Sequence, residues 1–463
     1  MLPKAKHIIA TFLLALPLGV AAQNNLLYNT FRTPEANQLN AAFFPKSTFY
    51  IQLPSIMLDF SSPLAISDMV QYRSDLDYIA VDLDNIIEKT TADNLLHLGG
   101  DVNLVGFGFK VGNLFFDFNT KLVGDVHVGF PKSAVNALLQ GNIDDEGNVI
   151  EDITILDGDI FYAQSYVEGS IGGGFRLPDF NLTIGAHAKL LYGIANAHTD
   201  NSSVELHTSP DLDSISADIY YQLNEAACVP YDTNLGEIVF SLDRLKDLGH
   251  ANMGVAFDLG VKYELGPFAF SLGINDLSAG IHWKYNTNTF APRDGRVHLV
   301  FDGIDANNLP EESEEGQSLI DDLSERLALT HTQDGANYWF SIPTKINVGA
   351  SYTFAEMLRA GLLFHGQFDR GLLCRRPSSD IDNTFRFNTT ATVGVKLGKT
   401  LETIVGSSVV YDGNRISPFN PGAGIILTAL GVQTTIMADY ISDIRLVEAR
   451  AFRIMFGLNL IFG

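Results

Sequence analysis

The chain has 463 residues, 46% of them hydrophobic and 18% charged, with a formal charge of −24. Such acidity argues against nucleic acid or an anionic surface as partner, and its simplest source is solvated acidic loops. After the N-terminus, no stretch has the ~18–20 consecutive apolar residues of a transmembrane helix.

Met1 to Ala22 has the three parts of a secretory signal: Lys4 and Lys6, an apolar run from Ile8 to Val20, and the small-residue site Val20-Ala21-Ala22. The run is too short to span a bilayer, and Gln23 in place of Cys argues against a lipoprotein anchor. Loss of Lys4 and Lys6 takes the formal charge from −24 to −26. Gln23–Lys46 precedes the first strand and carries Leu39, Phe43 and Phe44. It is expected to act as a hatch, folded into a lumen or against its periplasmic mouth.

From Ser47 onward the pattern is two-residue alternation, which puts large apolar side chains on one face of a strand. Leu182, Ile184, Leu190, Tyr192 and Ile194 alternate with His187 and Lys189, and Met253 to Tyr263 alternate with Asp258 and Lys262. Ile342 to Tyr352 alternate with Lys345 and Asn347, and Leu358 to Phe368 with Arg359 and His365. Phe385 to Leu397 alternate with Arg386 and Lys396. The chain closes on Phe452, Ile454, Phe456, Leu458, Leu460 and Phe462 at one parity, with Arg453 at the other. About fourteen such strands start near residues 48, 100, 113, 159, 180, 252, 267, 341, 357, 384, 400, 421, 430 and 447, each near the ~9–11 residues that cross a bilayer tilted.

Connections alternate too. Short turns such as Val111-Gly112-Asn113, Leu265-Gly266-Pro267 and Ala429-Leu430-Gly431 follow the even strands, and long segments (58–98, 124–158, 198–250, 286–340) follow the odd ones. Short periplasmic turns and long extracellular loops are the asymmetry of an outer-membrane barrel. The expectation is an all-β, transmembrane antiparallel β-barrel of about 14 strands over residues 47–463, exported through the Sec route to the outer membrane, with residues 23–46 plugging its lumen. Polar residues of the inward parity then line the lumen: His187, Lys189, Asp258, Lys262, Lys345, Asn347, Arg359, His365, Arg386, Lys396 and Arg453. Apolar parity flips between Phe268–Ile274 and Ile281–Tyr285, so a bulge is expected within Asp276–Gly280. Within the loops, 131–140 and 318–329 have helical spacing, and 204–206 and 215–221 are expected to extend strands above the membrane.

Cys228 and Cys374, the only cysteines, fall in long loops of one side. An oxidising route and an even count favour a disulfide over two free thiols. Asn142 to Glu151 superficially resembles a calcium loop, but position twelve falls on Ile153 rather than Glu, so it reads as a hairpin tip. Asp75, Asp77, Asp82, Asp84, Asp380 and Asp382 are equally weak metal candidates. No Gly-x-Ser-x-Gly, His-Glu-x-x-His or phosphate-binding loop appears, so no enzyme, cofactor or metal is expected.

Several segments resemble a Bacteroidota outer-membrane barrel family catalogued as domain of unknown function 5723. They are Gln38 to Pro45, Gly185 to Asn196, Gly254 to Leu259, Gly273 to Leu277, Ile281-His282-Trp283 and Phe301 to Asp305. The Asn40-Ala41-Ala42 segment ahead of fourteen strands is distantly similar to long-chain fatty-acid transporters and to type 9 secretion shuttle barrels, with Ala41 where those groups carry Pro. The resemblance implies fold and location but no reaction. Two functions stay open: a barrel that binds or passes hydrophobic small molecules, and a scaffold or accessory subunit of an envelope or secretion complex. Expected partners are outer-membrane lipids and lipopolysaccharide, the barrel-assembly machinery during biogenesis and, on the scaffold reading, an envelope protein.

Overall fold

The computed structural model describes residues 25–463 except 32, 74–77, 92, 140, 143–147, 159, 201, 210–213, 228–230, 233–236, 239–251, 293–294, 302–328, 334, 369–384, 412–415, 440 and 442–447. The expected signal, Cys228, Cys374, Asp75, Asp77, Asp380, Asp382 and nearly all of 318–329 lie outside the described residues.

Fourteen antiparallel wall strands run in chain order. They are β1 (Phe49–Gln52 and Ser55–Ser61, parted at Pro54), β2 (Asp93–Val111), β3 (Leu114–Pro131), β4 (Phe161–Leu177) and β5 (Leu182–Thr199). Next come β6 (Met253–Leu265), β7 (Phe268–Trp283), β8 (Tyr338–Ser341 and Thr344–Phe354), β9 (Leu358–Phe368) and β10 (Phe385–Leu397). The last four are β11 (Leu401–Tyr411), β12 (Ile416–Ala429), β13 (Val432–Asp439) and β14 (Ala451–Phe462). Each pairs with its sequence neighbour, and β14 returns to β1 with Phe462 opposite Phe49 and Phe456 opposite Ile56. The wall is closed: each of the fourteen strands pairs with a neighbour on both sides.

Alternation does what the sequence implies. Along β6, Met253, Val255, Phe257, Leu259, Val261 and Tyr263 are exposed on the outside, while Ala256 and Asp258 are buried within. The tight turns sit where the chain tolerates positive φ: Gly112 (62°), Gly266 (58°), Gly398 (63°), Ala355 and Glu356 (48° and 57°), and Leu430 and Gly431 (52° and 82°). All lie at one end of the barrel. β2 to β5 have 17 to 19 residues, well beyond the ~9–11 that a bilayer requires. Their extra residues lie at the long-loop end.

Residues 204–206 and 215–221 do not extend the wall. Ser203–Thr208 and Ile215–Tyr220 pair with each other and with Asp152–Asp157 and Val297–Phe301, making a separate four-stranded sheet from several loops. Their backbone groups find partners in one another, and the wall is prolonged instead by Leu223–Ala227 on the end of β5. The helix expected in 131–140 is present at Lys132–Leu139.

Two glycine-free positive φ angles mark β7, Asp276 and Ser278, both 58°. The β6–β7 register shifts twice, between Val255 and Phe257 and again between Phe257 and Leu259. The expected single bulge is therefore two. Each inserts one residue, and together they restore the original parity, with His282 outside as Phe270 and Leu272 are. The apolar pattern flips because Ile281 and Trp283, fully buried, turn inward into an interior apolar cluster.

Candidate functional site

The interior of the barrel divides into two halves. Near the short turns it holds the N-terminal segment, with short 3-10 turns at Leu26–Asn29 and Pro34–Gln38. Leu26, Leu27, Tyr28 and Leu39 pack with Leu363, Ile404, Ile426, Met437 and Met455 from β9, β11, β12, β13 and β14. Burial of each large apolar side chain is worth ~1.5–3 kcal/mol, so four of them hold the segment firmly. Phe43 meets Tyr28 edge-on at 4.7 Å and Phe44 stacks on Phe115 at 4.9 Å.

Polar contacts reach the segment from all around the wall. Asn25 N donates to Asp439 Oδ2 at 2.7 Å, Phe31 N to Glu402 Oε1 at 2.7 Å, and Asn459 Nδ2 to Glu35 Oε1 at 2.7 Å. Arg359 donates to the Thr30 carbonyl at 2.7 Å and lies 4.0 Å over the Phe31 ring, which Lys396 Nζ approaches at 5.5 Å. Asn347 Nδ2 donates to the Leu39 carbonyl at 3.0 Å, and His365 Nδ1 meets Asn347 Oδ1 at 2.9 Å. Burial holds the Glu35 carboxyl above its ordinary value, only partly offset by Asn459.

The fit depends on absent side chains. A Cβ at Gly185 would run into the Ala41 carbonyl, and one at Gly260 would meet Asn40 and the backbone of Ala42. Gly174, Gly273, Gly349, Gly361, Gly406 and Gly457 face the same segment from six other strands. Glycine on the inward parity here makes room for a second layer of backbone.

Behind the bulges lies a buried charge network. Lys189 Nζ sits 2.7 Å from Asp276 Oδ1, 2.9 Å from Asp258 Oδ1 and 3.6 Å from Glu168 Oε1. Lys345 Nζ takes Asp276 Oδ2 at 3.1 Å. His187 bridges Asp258 at 3.1 Å, Asp117 at 3.3 Å and the segment's Asn37 Oδ1 at 3.0 Å. Asp258 also accepts the Asp276 backbone N–H at 2.9 Å, a donor that the register shift takes out of the ladder. Lys262 pairs instead with Glu264 at 2.8 Å and is partly exposed near a short turn.

The other half, toward the long loops, holds an apolar cluster that includes Tyr162, Leu191, Trp283 and Phe340, with a cavity beside it. A cavity of about 110 Å³ is lined by Asp59, His97, Asp125, His127, Lys345, His365, Arg386 and Arg453 on its polar sides and by Val123, Tyr166, Ile342 and Val410 elsewhere. Its size is of the order of the ~150 Å³ apolar cavity known to admit benzene. Arg453 is committed to Asp59 through two bonds of 2.7 and 2.9 Å. Asn388 lines the cavity and accepts from Asn25 Nδ2 at 2.8 Å, so the N-terminal segment approaches it from below.

At Ile342 and Pro343 the cavity touches a break in the wall. β7 pairs with β8 as far as Asn275–Lys345 and resumes at Gly280–Ser341. Between them there is no regular rung; Ile342 N reaches the Ala279 carbonyl at 3.0 Å and Thr344 Oγ1 reaches the Asp276 carbonyl at 3.0 Å. Pro343 has no N–H to offer a ladder. Trp283 and Trp339, the only tryptophans, lie in the rungs just beyond the break, opposite Tyr338 and His282, and among the described residues neither indole N–H finds an acceptor.

Sequence reading did not single out Asp59, His97, Asp117, Asp125, His127, Glu168 or Glu402. For Asp125 and His127 the signal was available, two inward-parity residues on one strand. Asp276 was read only as the start of the expected bulge, not as a partner of Lys189 and Lys345.

A family model described as "Family of unknown function (DUF5723)" matches residues 42–439. No curated protein matches the chain. Among solved structures, the Pseudomonas putida toluene transporter TodX is 9% identical over 93% of each chain with a TM-score of 0.43. A Pseudomonas aeruginosa FadL homologue is 9% identical over 96% of this chain and 98% of its own, at 0.46. The translocator domain of the autotransporter NalP from Neisseria meningitidis is 6% identical over 91% of each, at 0.34.

Proposed function

The chain belongs to the DUF5723 family of unknown function, and from that premise and the interior geometry we propose an outer-membrane barrel that binds or passes hydrophobic small molecules. In this reading residues 1–22 are a signal peptide, residues 23–46 are a hatch, and the exit is the broken rung between β7 and β8. Support for the membrane comes from the outer belt. Phe107, Phe116, Phe257, Phe270, Val348, Leu362, Val393, Ile425, Ile436 and Phe456, from ten wall strands, are each at least 40% exposed. An apolar band around a closed sheet suits lipid, where every backbone group must be paired within the barrel.

The observation that carries the transport reading is the coincidence of cavity and break. An apolar solute gains little from a water-filled pore; it needs an apolar wall and a sideways path into lipid. Trp283, Tyr166, Phe340 and Ile342 belong to one apolar cluster, and that cluster runs from the cavity to the interrupted rung. Lateral passage requires a local retreat of the N-terminal segment, whose Asn25 reaches the cavity at Asn388.

Deleting 23–46 with the signal retained tests the reading in intact cells. The expected outcome is altered uptake of a lipophilic fluorescent probe, with the barrel still heat-modifiable on a gel. Unchanged uptake together with loss of a co-purifying envelope protein would contradict transport and favour the scaffold.

A further inference from the structure

We propose that His97, Asp125 and His127 hold a divalent first-row transition metal on the cavity wall. His97 on β2 lies directly across the ladder from His127 on β3, and Asp125 is two residues before His127 on the same face. Their ligand atoms all lie within 4.8 Å of one another. His127 Nε2 is 2.8 Å and His97 Nε2 3.4 Å from the same carboxylate oxygen, Asp125 Oδ1. Metal–ligand bonds of ~2.0–2.2 Å at octahedral or tetrahedral angles give ligand–ligand edges of ~3.0–3.5 Å, so small side-chain adjustments admit an ion at the centre.

Two further features suit a metal. The rings are held: His127 stacks on Tyr162 at 4.3 Å and 17° and packs against His97 at 4.3 Å. Both histidines sit on adjacent β-strands of a closed wall, which fixes ligand geometry better than loops do. All three residues also line the cavity, so a metal bound there keeps coordination positions open toward the lumen. Two imidazoles and one carboxylate with open positions suit zinc, iron, cobalt or nickel far better than calcium or magnesium, which require oxygen ligands.

The site is separate from the extracellular cluster in which His207 meets Asp152 at 2.6 Å and His298 meets Asp218 at 3.0 Å, both exposed. That cluster supplies the control. Metal binding at His97, Asp125 and His127 does not require that a hydrophobic solute pass.

The test uses the full-length barrel, folded in detergent and stripped with chelator. Zn²⁺ binding is measured by calorimetry and Co²⁺ binding by its visible absorption. One equivalent is expected, with affinity falling at least about tenfold in His97→Gln, Asp125→Asn and His127→Gln, and unchanged in His207→Gln/His298→Gln. Heat modifiability reports folding of each variant. X-ray absorption at the zinc edge of the unsubstituted protein needs no variant; two imidazoles in the coordination shell are expected. No stoichiometric binding, loss of binding only in the His207/His298 variant, or a shell without two imidazoles would overturn the site.

Discussion

The two halves of the lumen share the same fourteen strands and differ in what the inward parity carries. Near the short turns that parity is glycine wherever the N-terminal segment presses closest, as at Gly185, Gly260 and Gly457. Toward the long loops it is His97, Asp125, His127, His365, Arg386 and Arg453 around open space. A wall of one geometry is thus filled below by a second layer of chain and encloses above a cavity beside an apolar cluster. The boundary is the charge network at Asp258 and Asp276, which also takes up the backbone donor released where the wall bulges.

Breaking the boundary has the largest expected effect. Lys189→Met leaves Asp258, Asp276 and Glu168 without their shared cation; removing one partner of a buried ion pair costs ~3–5 kcal/mol. Urea unfolding followed by tryptophan fluorescence should show it, and a change within error would mean that the network is dispensable.

Next comes the filled half. Gly185→Val places branched carbon against the Ala41 carbonyl, and overpacking of this kind costs ~1–3 kcal/mol. The barrel should remain heat-modifiable while residues 25–45 become protease-sensitive. If the segment stays protected, the tight fit does not hold it.

How much of this contrast was legible beforehand follows from what each feature depends on. Strand positions, turn end and inward parity are local, so alternation disclosed them, down to the outward Val255-x-Phe257-x-Leu259 row. Residues 23–46 could be flagged because no strand claimed them and because they carry Leu39, Phe43 and Phe44. The pairing of Lys189 with Asp276, or of Asn25 with Asp439, joins residues far apart in sequence and depends on how the cylinder closes. The double bulge was half visible: the apolar pattern changed, but not because the strand turned over.

A smaller effect distinguishes the halves by pH. Glu35 carries a raised carboxyl value when docked, so its contribution to docking is fully present below the ordinary value of 4.5 and is lost as pH rises through the raised one. Protease protection of residues 25–45 should therefore weaken from acid to neutral pH. Glu35→Gln, which keeps an acceptor for Asn459, should flatten the profile and change docking by about 1 kcal/mol. A profile identical to that of the unsubstituted protein would assign the pH effect elsewhere.

The smallest stability change is expected in the half with the cavity, where Val410→Phe projects into that space rather than into packed atoms. Unfolding should move by less than ~1 kcal/mol, while binding of a hydrophobic solute falls. A large loss of stability would show that the cavity has no spare room.

Trp283 and Trp339 make the decisive measurement direct, because they are the only tryptophans and both lie within three residues of Gly280–Ser341, where pairing resumes after the interrupted rung. Titrating the detergent-folded barrel with a brominated alkane should quench their fluorescence saturably, and Val410→Phe should weaken that saturable component. Quenching that grows linearly without saturation, equally in both proteins, would contradict a hydrophobic site at the break.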